Sequence, residues 1–165
     1  MSIYIHKSHN VNLLIYHLVC PAKYRKMVFN TRVDQELKNI CLEISLKYEI
    51  HFLEIGADDN HVHFLIQSVP TYSPTKIATI VKSLTAREIF ARLPEVKKQL
   101  WGGNFWTSGY FISTVGKNAT ETTIQQYVKN QGTNSQYDRL HQDQLRIFDW
   151  YLVGLPRGSS LEIGN

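Results

Sequence analysis

The chain has 165 residues, a formal net charge of +4 and a sequence pI near 9.0, with 43% hydrophobic and 19% charged residues. That is the size of about one ~150-residue domain, and the balance excludes a disordered chain, a collagen-like repeat and a coiled-coil rod. No apolar run approaches the ~20 residues that span a bilayer, no signal-peptide h-region opens the chain, and Cys20 and Cys41 can make neither a disulfide framework nor a Cys-rich zinc site; a cytoplasmic protein with no membrane contact is expected. The basic excess is uneven. Residues 1–33 carry Lys7, Lys23, Arg25, Lys26 and Arg32 and no acid, and residues 76–98 carry Lys76, Lys82, Arg87, Arg92, Lys97 and Lys98 against Glu88 and Glu95. Basic segments that a fold brings onto one face suit a polyanionic partner; scattered over the surface, they are merely solvated.

In chain order, Val11 to Val19 is β-branched and apolar enough for a buried strand, ended by Pro21. Thr31 to Tyr48 reads as a helix, because Val33, Leu37, Ile40, Cys41, Ile44 and Tyr48 form one apolar stripe. His51 to Gly56 and His61 to Val69 read as a hairpin around the turn-forming run Ala57-Asp58-Asp59-Asn60. Ser73-Pro74 supplies an N-cap and a first-turn proline to a helix that Pro94 should stop, with Ile77, Ile80, Val81, Leu84, Ile89 and Phe90 inward. Residues 101–109 read as a glycine-rich aromatic loop and Tyr110 to Val115 as a further strand. Thr120 caps a helix to about Gln131, followed by Gly132. Residues 136–153 read as a last helix, and 156–165 as a frayed tail with Gly158-Ser159-Ser160 as a linker. The order β-α-β-β-α-β-α opens with the split βαβ pattern. The fold class is therefore α+β, ferredoxin-like (RRM-like): an antiparallel sheet with helices on one face and an added C-terminal helix.

Two patterns bear on chemistry. His61-Val62-His63 begins a strand, so both imidazoles project from one face. That makes a half-site for a divalent metal; it equally describes two polar residues on the solvent face of an edge hairpin. Asp58, Asp59 and Asn60 precede it, and a carboxylate there, Asp59, could orient a histidine, whereas Asp58 fits a turn residue. Second, Tyr127 and Gln131 stack at i and i+4 in TETTIQQYVKNQ. A tyrosine beside a metal can act as a nucleophile and a glutamine carbonyl suits a hard cation, but Tyr127 also shares an apolar face with Ile124 and Val128. Lys76, Ser83 and Arg87 line up on their helix for phosphate contacts, and Lys23, Arg25 and Lys26 form a second basic patch. Trp101, Phe105, Trp106 and Tyr110 could stack on unpaired bases or belong to a core or interface.

His-hydrophobic-His on a strand, followed in this order of elements by Tyr-x-x-x-Gln on a helix, resembles the single-tyrosine HUH transposases of small insertion sequences (TnpA-like). The segments Ser8–Val11, Cys20–Lys26 and Gly102–Phe111 extend the resemblance over residues 8 to about 134. Residues 1–135 are accordingly expected to form the transposase domain, and 136–165 a C-terminal helix and tail that match nothing diagnostic. The resemblance implies that His61, His63 and Gln131 are the metal ligands, with Mg²⁺ or Mn²⁺ as cofactor, and that Tyr127 is the nucleophile. It would cleave single-stranded DNA through a 5′-phosphotyrosine and leave a free 3′-hydroxyl. It also implies subterminal DNA hairpins as the recognised partner and a homodimer. The competing expectation is a non-catalytic, single-stranded nucleic-acid-binding ferredoxin-like module; no aromatic-rich strand motif of the RNA-recognition type supports it.

Overall fold

A computed structural model describes residues 4–101 and 103–116. The expected Thr120–Gln131 helix, with Tyr127 and Gln131, the expected boundary at residue 135 and the whole of 136–165 lie outside the described residues. The elements are β1 (Ile5–His6), β2 (Val11–Asn12), β3 (Leu14–Pro21), α1 (Thr31–Lys47), β4 (His51–Ala57), β5 (His61–Ser68), α2 (Pro74–Arg92), α3 (Pro94–Gln99) and β6 (Phe111–Thr114). A single turn of 3₁₀ helix, Lys23–Arg25, separates β3 from α1. The main sheet runs β4-β5-β3-β6, with every neighbouring pair antiparallel. This is the strand order of the expected split βαβ fold. Three differences from the sequence reading are local. The first apolar run breaks at Leu13, and its beginning, β2, pairs with β1 in a separate short ribbon. Pro94 opens α3 as well as ending α2, since its missing N–H is an orphan in any first helical turn. The last described strand is shorter than Tyr110 to Val115 by one residue at each end.

Both main helices start where a side chain accepts an otherwise unpaired N–H. Asn30 Oδ1 takes Val33 N–H at 3.0 Å, and Ser73 Oγ takes Lys76 N–H at 3.0 Å, each worth about 1 kcal/mol. The stripe Val33, Leu37, Ile40, Cys41 and Ile44 of α1 is buried, as are Ile77, Ala78, Val81, Thr85 and Ile89 of α2. They close over the sheet face that carries Tyr16, Leu18, Cys20, Phe52, Ile55, Val62, Phe64 and Ile66. Arg92 of α2 ties the two helices together through Glu36 and Glu43 of α1, and also pairs with Glu88 of its own helix. Residues alternate across the strands, so Ile15, His17 and Val19 of β3 and His61, His63, Leu65 and Gln67 of β5 belong to the opposite face. There Ile15, Leu53 and Leu65 form a small second cluster. A bulge between Phe52 and Glu54 lets Leu53 join it while Glu54 pairs with Leu65. Among the described residues no helix is long and apolar enough to cross a membrane.

Candidate metal centre and nucleic-acid interface

The β4–β5 register places the histidines. Ala57 pairs with Val62 and Gly56 with His63, and the Asp58 N–H donates to the His61 carbonyl at 2.9 Å. Asp58 is therefore the cross-strand neighbour of His61 and the diagonal neighbour of His63, all on one face. Its Oδ2 lies 2.9 Å from His61 Nε2 and 3.2 Å from His63 Nε2. One donor atom from each of the three residues falls within 4.8 Å of the others. The sequence reading assigned the orienting carboxylate to Asp59 and left Asp58 as a turn residue; the register reverses this. Asp59 sits at the exposed turn tip, where its backbone carbonyl accepts the Phe29 N–H at 3.4 Å.

Protonation at this cluster suits a cation. Asn60 Oδ1 lies 2.7 Å from His61 Nδ1 and Asp58 Oδ2 lies 2.9 Å from His61 Nε2, so polar groups hold this ring at both nitrogens. Burial lowers the His61 pKa, with the neighbouring His63 and Arg25 adding to the effect against the pull of Asp58. The hydrogen bond from His63 holds the Asp58 carboxyl below its usual range despite partial burial. The site thus sets an ionised carboxylate beside two histidine side chains, a donor set that fits a divalent cation. The third expected ligand, Gln131, is outside the described residues.

A third histidine backs the pair. His17, fully buried on β3, lies diagonally across from His63; its ring stacks on that of His63 at a 5.7 Å centroid distance, with Nε2 3.4 Å from His63 Nδ1. Burial, then the neighbouring His63, push its pKa down to about 3, so it is neutral under ordinary conditions. Sequence reasoning passed over it as part of an apolar run. Its place two residues before Val19, the partner of His63, was the available signal.

The expected DNA-contact residues separate into three groups. Lys23, Arg25 and Lys26 occupy the turn after β3, where Tyr24 and Arg25 both adopt left-handed backbone (φ 58° and 50°). Such a conformation costs a non-glycine residue roughly 1–2 kcal/mol, so the turn persists only because its surroundings hold it. Ala22 N–H donates to the Asn60 carbonyl and Lys23 N–H to the Phe105 carbonyl, each at 2.8 Å. Ser83 and Arg87 of α2 line a groove against the 103–110 loop, although the Ser83 hydroxyl donates to the Thr79 carbonyl of its own helix. Lys76, expected in line with them, is held 4.2 Å over the Tyr72 ring instead. The loop aromatics divide too. Phe105 and Trp106 are core, the indole N–H of Trp106 donating to Thr85 Oγ1 at 2.9 Å, while Trp101 and Tyr110 are exposed.

Three comparisons bear on this arrangement. The family profile described as "Transposase IS200 like" matches residues 10–131. The ISDra2 transposase TnpA of Deinococcus radiodurans is 34% identical over 118 residues, 72% of this chain and 84% of that protein. The transposase for insertion sequence element IS200 of Salmonella typhimurium is 27% identical over 116 residues, 70% of this chain and 75% of that protein. Among solved structures, a candidate transposase from Deinococcus radiodurans R1 superimposes with a TM-score of 0.63 at 30% identity, over 78% of this chain and 98% of that one.

Proposed function

The chain belongs to the IS200-like transposase family, and from that premise we propose that it cleaves and rejoins single-stranded DNA at insertion-sequence ends, with Tyr127 as nucleophile and Mg²⁺ or Mn²⁺ held by His61, His63 and Gln131. The observation that carries the reading is the convergence of Asp58 Oδ2 on both imidazole Nε2 atoms, at the end of the sheet where Ala22 and Phe29, on either side of the Lys23–Lys26 turn, bind the hairpin carbonyls of Asn60 and Asp59. When bound, the cation supplies a Lewis acid for a phosphoryl oxygen and a template for the scissile phosphate.

The protein's own groups do the rest. Asn60 holds the His61 ring through its Nδ1, and His17 packs the His63 ring in place from behind. Asp58 stays ionised and balances the charge of the cation. The Tyr127 oxygen attacks phosphorus, and the bond to the neighbouring 3′ oxygen breaks, leaving a 5′-phosphotyrosine and a free 3′-hydroxyl. The ester preserves the energy of the broken link, so attack by another 3′-hydroxyl reseals DNA without ATP. Lys23, Arg25, Lys26, Lys76, Ser83 and Arg87 contact the DNA, whose subterminal hairpins mark the ends. The resemblance further supports a homodimer.

The test is cleavage of a single-stranded end fragment in Mn²⁺ by the wild type and by the His61→Ala/His63→Ala double variant. Loss of at least ~10²-fold with hairpin binding retained is expected. Full cleavage by the double variant would overturn the metal site. Hairpin binding indifferent to chelator, with no cleavage even by the wild type, would establish the non-catalytic module instead.

A further inference from the structure

Among the described residues, two cavities of useful size flank α2. The crevice of about 400 Å³ between α1 and α2 carries Glu43 and Glu88 among its cations, which disfavours a polyanion. The groove between α2 and the 103–110 loop, about 650 Å³, is lined by Lys23, Lys82 and Arg87 and by no carboxylate, although Arg87 also borders the first crevice, with its Nε 3.7 Å from Glu88 Oε2. It lies within the ~300–1,000 Å³ range of ligand sites. Tyr110 stands on its wall, exposed, with the Lys82 ammonium 5.1 Å from its ring centroid. Lys82 also donates to the Ser108 carbonyl at 3.1 Å, which ties the loop to the helix.

The groove is joined to the histidine hairpin by very little chain. Lys23 lines it and binds the Phe105 carbonyl on its floor, and the preceding residue, Ala22, binds the carbonyl of Asn60, next to His61. From Lys23 the left-handed Tyr24 and Arg25 turn the backbone sharply, and both are exposed. No carboxylate forms an ion pair with Lys23, Arg25 or Lys26 among the described residues. We propose that this groove seats the single strand beside the scissile phosphate, with Lys23 and Arg87 on its phosphates and Tyr110 stacked on a base, and that the left-handed turn leads the strand round the sheet end to the histidines. The inference rests on the single-strand cleavage reading above; it adds which surface takes the unpaired strand, leaving the hairpins to other contacts.

The probe is an oligodeoxythymidylate about twelve nucleotides long, end-labelled with fluorescein, titrated at several salt concentrations. Each cation that neutralises a phosphate of a single strand adds about 0.7 to the salt slope. Lys23→Ala and Arg87→Ala should each lower the slope by about 0.7, and Tyr110→Ala should weaken binding about tenfold. Melting temperatures should stay at the wild-type value, since none of the three side chains is buried. A second probe with 5-iododeoxyuridine, irradiated in the complex, should crosslink to the peptide holding Tyr110. If the wild type cleaves single strands in Mn²⁺ but the variants keep its affinity and slope, or crosslinks fall only outside the groove and turn, the groove assignment is overturned and the cleavage reading stands. If the wild type cleaves no single strand in Mn²⁺, the cleavage reading falls and takes the groove assignment with it.

Discussion

Asp58→Asn is the substitution that most directly separates the geometry of the site from its sequence motif. The amide keeps the shape of the side chain and removes one negative charge that lies 2.9 Å and 3.2 Å from the two histidine Nε2 atoms. A unit charge about 4 Å from another interacts by about 4 kcal/mol at an effective dielectric of ~20. Half of the Asp58 side chain is exposed, so water screens much of this. The expected loss is about 10–100-fold in metal affinity, or roughly 1.4–2.8 kcal/mol. Titration calorimetry of Mn²⁺ into the full chain near neutral pH reads it directly. Asp59→Asn, one residue along at the exposed turn tip, should bind Mn²⁺ as the wild type does. Equal losses in the two variants, or none in Asp58→Asn, would refute the argument from strand register.

Other consequences follow from the buried groups. Thr85→Val leaves the Trp106 indole N–H without its acceptor inside the core and should cost about 1–3 kcal/mol in denaturant unfolding, whereas an unchanged midpoint would mean the bond contributes nothing. Burial pushes the Cys20 thiol up from 9.0 to about 12 and raises that of Cys41 well above 9.0. The folded state therefore holds protons that the unfolded chain releases, so stability is intact below pH 9 and falls by about 1.4 kcal/mol per thiol per pH unit above it. Iodoacetamide should label neither cysteine in the native protein, and labelling at the rate of a free thiol would contradict this. Sedimentation without DNA should show a homodimer; a monomer at high micromolar concentration would count against it.

The periodic elements were legible in the residues because their signals are local. The α1 stripe, the Ser73-Pro74 start of α2 and the turn between β4 and β5 each decide a backbone conformation within a few positions. The split βαβ order followed from them. What depended on pairing was misplaced or missed. Nothing local distinguishes Asp58 from Asp59; only the pairing of Gly56 with His63 puts one carboxylate beside the imidazoles and the other at the turn tip. His17 hides in an apolar run because it is buried, and only its register against β5 exposes its role. The left-handed Tyr24-Arg25 turn has no glycine or asparagine to announce it, since tertiary hydrogen bonds impose it. Phe105, Trp106, Trp101 and Tyr110 are alike in the sequence, and packing against α2 and Phe29 alone sorts the core pair from the exposed pair.

The central claim is a covalent cut by Tyr127, and trapping the protein–DNA adduct tests it. Wild-type protein incubated with a single-stranded end fragment and Mn²⁺ should give a denaturant-resistant adduct that retains label placed 3′ of the cut. Tyr127→Phe removes only the hydroxyl, so DNA binding should persist while adduct and strand transfer disappear together. An adduct that forms normally in Tyr127→Phe and maps to another tyrosine would contradict the account.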